Sequence, residues 1–203
     1  MLESRLRVDV LMHWREWDRP SSTGRLIKRL MPATGVHEFD PDRPLGREAV
    51  GVPERRLWLL HPRGEVVGEA EMARTDPAAV QVLLLDGSWR EAAAMTRVAG
   101  TWGRVVRLPM SAPGRFWLRK QQGEASYSTV EALIFLLAGL GEAEEAARLQ
   151  AQFELHVYAG LRARGALAQA AEYLATSPAR AAFPELLERL HERRPFVLPE
   201  RET

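Results

Sequence analysis

The 203-residue chain contains no cysteine. That excludes disulfides, a thiolate nucleophile, an iron–sulfur cluster and any zinc site built on sulfur. Lysine is nearly absent: Lys28 and Lys120 are the only two, and every other one of the 28 cations is an arginine. A GC-rich genome produces that bias, and phosphate recognition also favours arginine's planar fork. No apolar run is long enough to span a bilayer. The longest, Ala132–Leu140, is about half the ~20 residues required. Met1-Leu2-Glu3-Ser4-Arg5 lacks a signal-peptide layout. The expectation is a soluble cytoplasmic protein with no membrane partner. No GxGxxG, P-loop, GxSxG or HExxH is present, and none of the five histidines pairs with another at i, i+4. No metal site is expected, and lone histidines at strand ends read as structural.

What is present is a foldable chain, 46% hydrophobic and 27% charged, with a net charge of +1. It can bury one large core or two small ones. Bulk charge does not announce a nucleic-acid binder, but local charge is uneven. From Ala92 to Gly123 there is no acidic residue, and Arg97, Arg104, Arg107, Arg115, Arg119 and Lys120 all fall there.

The apolar pattern alternates strand and helix up to about residue 140. Arg7–His13 reads as a first strand. Thr23 can cap a short helix through Leu30, stopped before Pro32. Residues 33–53 read as loop. Arg56–Leu60 is a second strand, ended by His61-Pro62, and Val80–Leu85 is a third with the continuous apolar run of a buried parallel strand. Ser88 can cap a helix Trp89–Val98, Arg104–Leu108 is a further strand, and Ser128 with Glu131 forms a capping box. From Glu142 onward the pattern is helical. The expected fold is α/β, a mainly parallel sheet flanked by helices, with a helical C-terminal third.

Ligands of open parallel sheets sit outside the carboxyl ends of strands, near helix N-termini. Three segments meet that condition: Pro62, Asp86-Gly87-Ser88-Trp89 and Ser126–Glu131. Asp86 directly follows the buried strand, where a carboxylate either works on a ligand or starts a turn. Trp89 either stacks a base or packs a helix. Thr23 with Gly24 either binds a carboxylate or phosphate or simply caps, and capping is sufficient to explain Ser128 and Glu131. Arg115-Phe116-Trp117-Leu118-Arg119-Lys120 mixes basic and aromatic residues as nucleic-acid surfaces do. A half-buried strand with solvated arginines has the same composition.

Leu85-Asp86-Gly87-Ser88-Trp89-Arg90-Glu91-Ala92 resembles the signature of the DTW-domain family, Asp-x-Thr-Trp, with Ser88 in the threonine's place. Five further segments resemble that family's motifs in order: Leu11–Glu16 (His-x-x-Glu), Ser22–Leu26, Leu59–Pro62, Arg115–Gln121 and Ser128–Ala132. The resemblance covers roughly residues 8–160. It suggests a DTW domain over 1–160 and a C-terminal helical extension over 161–203. Many bacterial members carry an N-terminal cysteine cluster, which this chain lacks.

The resemblance implies a tRNA-uridine aminocarboxypropyltransferase. Such enzymes transfer the 3-amino-3-carboxypropyl arm of S-adenosylmethionine, their co-substrate, to uridine N3 and release methylthioadenosine. It also implies a SPOUT-like, knotted fold. Asp86 becomes the candidate base, or else the partner of the co-substrate's ammonium. Thr23, Leu60, Pro62, Leu85, Trp89, Leu108, Ser128 and Thr129 become candidates for holding the co-substrate. Arg25, Arg90, Arg115, Arg119 and Lys120 become candidates for gripping tRNA. Two alternatives stay open: a SPOUT-class RNA methyltransferase, and a non-catalytic RNA-binding or ribosome-assembly protein. Monomer and homodimer are both compatible with the sequence.

Overall fold

The structure, a computed structural model, describes residues 1–43, 45–119 and 127–192. Five strands, β1 (Arg7–His13), β2 (Gly35–Phe39), β3 (Arg56–Val66), β4 (Val80–Asp86) and β5 (Arg104–Arg107), form one sheet. Its order is β2-β1-β4-β3-β5, and every pairing is parallel. The helices are α1 (Thr23–Leu30), α2 (Glu69–Ala73), α3 (Trp89–Ala99), α4 (Thr129–Gly139), α5 (Ala143–Ala163), α6 (Leu167–Ala175), α7 (Ala179–Ala182) and α8 (Pro184–Glu192).

Strand alternation divides the apolar residues between two faces. Val10, Met12, Val82 and Leu84 point to one face, where Leu26 and Ile27 of α1 and Leu133 and Leu137 of α4 cover them. Leu11, Leu59 and Leu83 point to the other, under Met95 and Ala99 of α3. Burying each large side chain contributes about 1.5–3 kcal/mol, so neither helix layer is optional. α5 packs on α4 and α6 on α5. Ala170, Tyr173 and Leu187 join the same buried cluster as Val10 and Leu133. No helix among the described residues is long and apolar enough to cross a membrane.

Three local readings differ from the structure. The stretch 33–53 contains β2, which pairs with β1 from Asp9–Gly35 to His13–Phe39. Its own sequence has weak alternation, and the neighbouring strand supplies the order. The true cap of α1 is Ser22, whose Oγ accepts from the Arg25 N–H at 3.3 Å, which leaves the Thr23 hydroxyl free for another partner. β3 does not end at Pro62. It breaks register after Leu60 and resumes pairing with β5 at Glu65 and Val66. Gly64 makes this possible, since a Cβ there would lie 2.6 Å from the Val106 backbone. The excursion lifts His61 and Pro62 out of the sheet at its carboxyl end.

At the opposite edge the fully buried Asp9 ties β1, β2 and β4 together. Arg7 Nε and Nη2 donate to it at 2.8 and 3.0 Å, Gln81 Nε2 at 2.8 Å, and His37 Nε2 lies at 3.0 Å. Burial raises the Asp9 pKa, but the hydrogen bonds from His37, Arg7 and Gln81 outweigh it and hold the carboxyl below its ordinary value. A depressed native pKa gives stability that is present above the unfolded pKa and lost as pH falls through the native one. Thermal unfolding followed downward from pH 7 should therefore show a loss below about pH 4. Asp9→Asn should flatten that acid limb and lower the plateau above it.

Candidate active site

β1 and β4 lie side by side, but their connections leave in opposite directions. The chain passes from β1 through α1 to β2 on one flank, and from β4 through α3 to β5 beyond the other. Such a reversal opens a crevice at the carboxyl ends of the two strands. Here the crevice is a cavity of about 570 Å³. Leu60, His61 and Pro62 come to it from β3, Leu85 and Asp86 from β4, Arg107 from the end of β5 and Leu108 from just beyond it. Thr23, Ser88 and Trp89, and Ser128 and Thr129 come from the N-termini of α1, α3 and α4.

Asp86, 3% exposed, is the hub. Its Oδ2 accepts from Ser22 Oγ at 2.8 Å and from the Gly24 N–H at 3.2 Å. Its Oδ1 accepts from Thr129 Oγ1 at 3.1 Å and from Thr23 Oγ1 at 3.4 Å. A carboxylate offers about four lone-pair sites, and four donors take them. Asp86 thus clamps the start of α1 and the start of α4 onto the end of β4. The close approach needs Gly24, because a Cβ there would meet Asp86 Oδ2 at 2.8 Å and Met12 Cε at 2.9 Å.

Local hydrogen bonds set the other two helix starts. Ser88 N donates to Glu91 Oε2 at 2.7 Å and Ser88 Oγ accepts from Glu91 N at 3.4 Å. Ser128 and Glu131 repeat this box at 2.6 and 3.3 Å. Glu131 also accepts from the backbone N–H of Arg115, which fastens the 115–119 segment to α4. Three helix N-termini, each carrying partial positive charge, therefore converge on one cavity.

Charged side chains frame its mouth. Glu16, fully buried, accepts from Arg19 Nη1 and Arg119 Nη2, and both arginines line the cavity. His13 Nδ1 accepts from the Arg15 N–H at 3.3 Å and lies 3.6 Å from Glu91 Oε1. Burial raises the Glu91 pKa, but Ser88, His13 and Arg19 outweigh it and hold the carboxyl below its usual value. His61 is buried at the wall, and burial together with Arg63 pushes its pKa down. Its Nδ1 accepts from the Arg63 N–H at 3.2 Å, so the ring proton sits on Nε2.

The structure brings Thr23, Leu60, Pro62, Leu85, Asp86, Trp89, Leu108, Ser128 and Thr129 together around this cavity. Arg119 joins them, held by Glu16 and by Ser21 Oγ at 3.4 Å. Arg90 is exposed on α3 and outside the cavity. Arg25 borders a separate, smaller cavity and donates to the Trp17 carbonyl at 2.8 Å. Arg115, expected at the RNA, is turned to the C-terminal helices: Nη2 donates to buried Glu154 at 2.9 Å and to the Tyr173 carbonyl, and Nη1 to Thr176. Lys120 and Ser126 lie outside the described residues. Sequence reasoning passed over His61, Arg19, Met110, Phe116 and Tyr127, which also line the cavity. His61 stands inside the Leu59–Pro62 segment, but a lone histidine at a strand end carries no local signal of a ligand role.

A family model of the DTW domain matches residues 1–159. The chain belongs to the DTW domain family. Five of the six motif-like segments contribute described residues to the lining of this cavity, and the sixth, Leu11–Glu16, is tied to it through Glu16, which holds Arg19 and Arg119. The match ends inside α5, and the helices beyond it pack onto the same core.

Proposed function

We propose that this DTW-domain protein transfers the 3-amino-3-carboxypropyl group of S-adenosylmethionine to N3 of a uridine in tRNA. The observation that carries this reading is the convergence of Asp86, Thr23, Trp89, Ser128 and Thr129 on one cavity, in a chain of that family. The residues present suit the co-substrate. A volume of about 570 Å³ falls in the range of small-molecule sites, ~300–1,000 Å³. Leu60, Pro62, Leu108 and Trp89 offer apolar surface for the adenosine. The N-terminus of α4 suits a carboxylate, and the Thr23 and Thr129 hydroxyls, whose protons go to Asp86, keep lone pairs that suit the arm's ammonium. A SPOUT-like path of the chain belongs to the same proposal, supported by the parallel sheet and its β1/β4 switch.

In the reaction N3 bonds to the γ-carbon of the arm and the γ-carbon–sulfur bond breaks. The electron pair stays on sulfur, which leaves neutral methylthioadenosine, and the N3 proton passes to solvent. The sulfonium is already a good leaving group, so the protein's task is alignment, worth about 7–11 kcal/mol in favourable cases. Which carbon reacts depends on which one faces the uridine. Asp86 acts here as a positioning residue: its lone pairs are occupied, and through them it orients Thr23 and Thr129. Arg19 and Arg119, fixed by Glu16, present positive charge at the mouth where RNA arrives.

The test is label transfer to unmodified tRNA from S-adenosylmethionine labelled in the carboxyl group or in the methyl group. Carboxyl label should enter the RNA and methyl label should not. Methyl label alone would make the protein a methyltransferase. Neither label in the RNA, with the co-substrate left unbound, would make it a binding protein.

A further inference from the structure

A second cavity, of about 210 Å³, lies beside the first. Arg25, Leu26 and Arg29 of α1 line it, with Arg19 and Ser22 from the preceding turn and His156 from α5. Arg19 borders both cavities. Ser22 borders the smaller one, while its hydroxyl bonds Asp86 of the larger.

The lining holds three arginines and no carboxylate. Among the described residues, Glu16 is the one carboxylate bonded to any of the three. It holds Arg19 and carries Arg119 as well, so the cluster keeps excess positive charge. Arg25 is steadied by the Trp17 carbonyl, which adds no charge. The Arg29 side chain makes no hydrogen bond or ion pair among the described residues. His156 Nε2 is buried without a hydrogen-bond partner. Burial, Arg29 and Arg164 lower the His156 pKa, so the ring is neutral and adds polarity without repulsion. Three guanidinium groups around one small hollow repel one another until an anion arrives. Guanidinium forks match phosphate oxygens in geometry and charge.

We propose that this arginine-lined hollow is a subsite for a backbone phosphate of the RNA whose target nucleotide enters the larger cavity. Arg19, shared between the two, sets the spacing from that phosphate to the reacting base. Exposed Trp17, whose carbonyl fixes Arg25, stands beside the hollow as a stacking surface for a flanking base. The inference rests on RNA being the substrate, but its test does not require transfer.

The experiment compares the full chain with the double variant Arg25→Gln/Arg29→Gln. Binding of an unmodified tRNA transcript is measured over a salt series, with S-adenosylmethionine affinity, Tm and label transfer read on the same preparations. Both arginines are exposed and neither lines the larger cavity, so Tm and S-adenosylmethionine affinity should hold. Losing two of the three arginines that hold this one phosphate should weaken tRNA binding roughly tenfold and reduce the slope of log K against log salt by about 0.8. Arg25→Lys/Arg29→Lys should restore most of the slope. Unchanged tRNA affinity and slope would overturn the subsite, as would a wild-type chain that binds no tRNA. Transfer without arginine-dependent binding removes this inference alone. Arginine-dependent binding without transfer removes the proposed reaction alone.

Discussion

Asp86→Asn is expected to lose stability and transfer together. The substitution keeps the shape but puts an amide NH2 where one oxygen accepted two hydrogen bonds. The hydroxyls of Ser22, Thr23 and Thr129 can turn away, whereas the Gly24 N–H cannot. Hydrogen bonds to charged groups are worth about 1.5–3 kcal/mol each, so two lost bonds cost ~3 kcal/mol or more. In a chain of this size that lowers Tm by about 6–12 °C. Transfer should fall by roughly 100-fold, the usual consequence of misplacing reacting groups by about 1 Å. Thermal melting and label transfer on one preparation separate the roles. An unchanged Tm with lost transfer would make Asp86 a group that touches the reactants, as base or as partner of the co-substrate's ammonium, because a clamp cannot be removed without loosening what it holds. Unchanged Tm and unchanged transfer would remove it from the site.

Arg115→Met is expected to act on stability and leave RNA binding alone. Glu154 is 1% exposed, and Arg115 is its cationic partner, with Gln150 Nε2 at 3.3 Å as its other contact. The guanidinium also lies over the Tyr173 ring, 4.4 Å from its centroid. Removing one member of a buried pair costs about 3–5 kcal/mol, and the partial exposure of Arg115 places this case near the lower end. Methionine keeps the stem's bulk, so the loss reports the stranded carboxylate. The double variant Arg115→Met/Glu154→Leu should recover most of the loss, since no unpaired charge remains. The salt slope of tRNA binding should match the wild type. A slope lower by about 0.8 with unchanged Tm would return Arg115 to the RNA interface.

These two residues show how far the sequence could be read. The place of Asp86 at the carboxyl edge of the sheet was legible because an apolar strand ending in a carboxylate has a simple geometric consequence. Its saturation by four donors was not legible, since three of them sit more than sixty residues earlier in the chain. Arg115 was misplaced by its company: a basic-aromatic run has one composition on an RNA surface and the same one against helices. Its partners lie 39 to 61 residues further on. Glu16 and Arg119, 103 residues apart, form a pair that no local pattern announces.

What the sequence determined by itself is what short-range chemistry determines. β1, the run of β4 and the capping boxes of α3 and α4 follow from side-chain period and from bonds spanning three residues. They stood in the residues to within one or two positions. The motif residues around Asp86 and Ser128 were readable through the resemblance to the DTW domain. The tertiary structure alone decided that β2 is a strand, that β3 resumes after Pro62, and that β1 and β4 are neighbours whose connections diverge. Each depends on pairing between distant segments, whose register is set by the whole core and not by the few residues on either side. That same pairing placed Arg25, Arg29 and His156 around one hollow, although nothing in their spacing along the chain joins them.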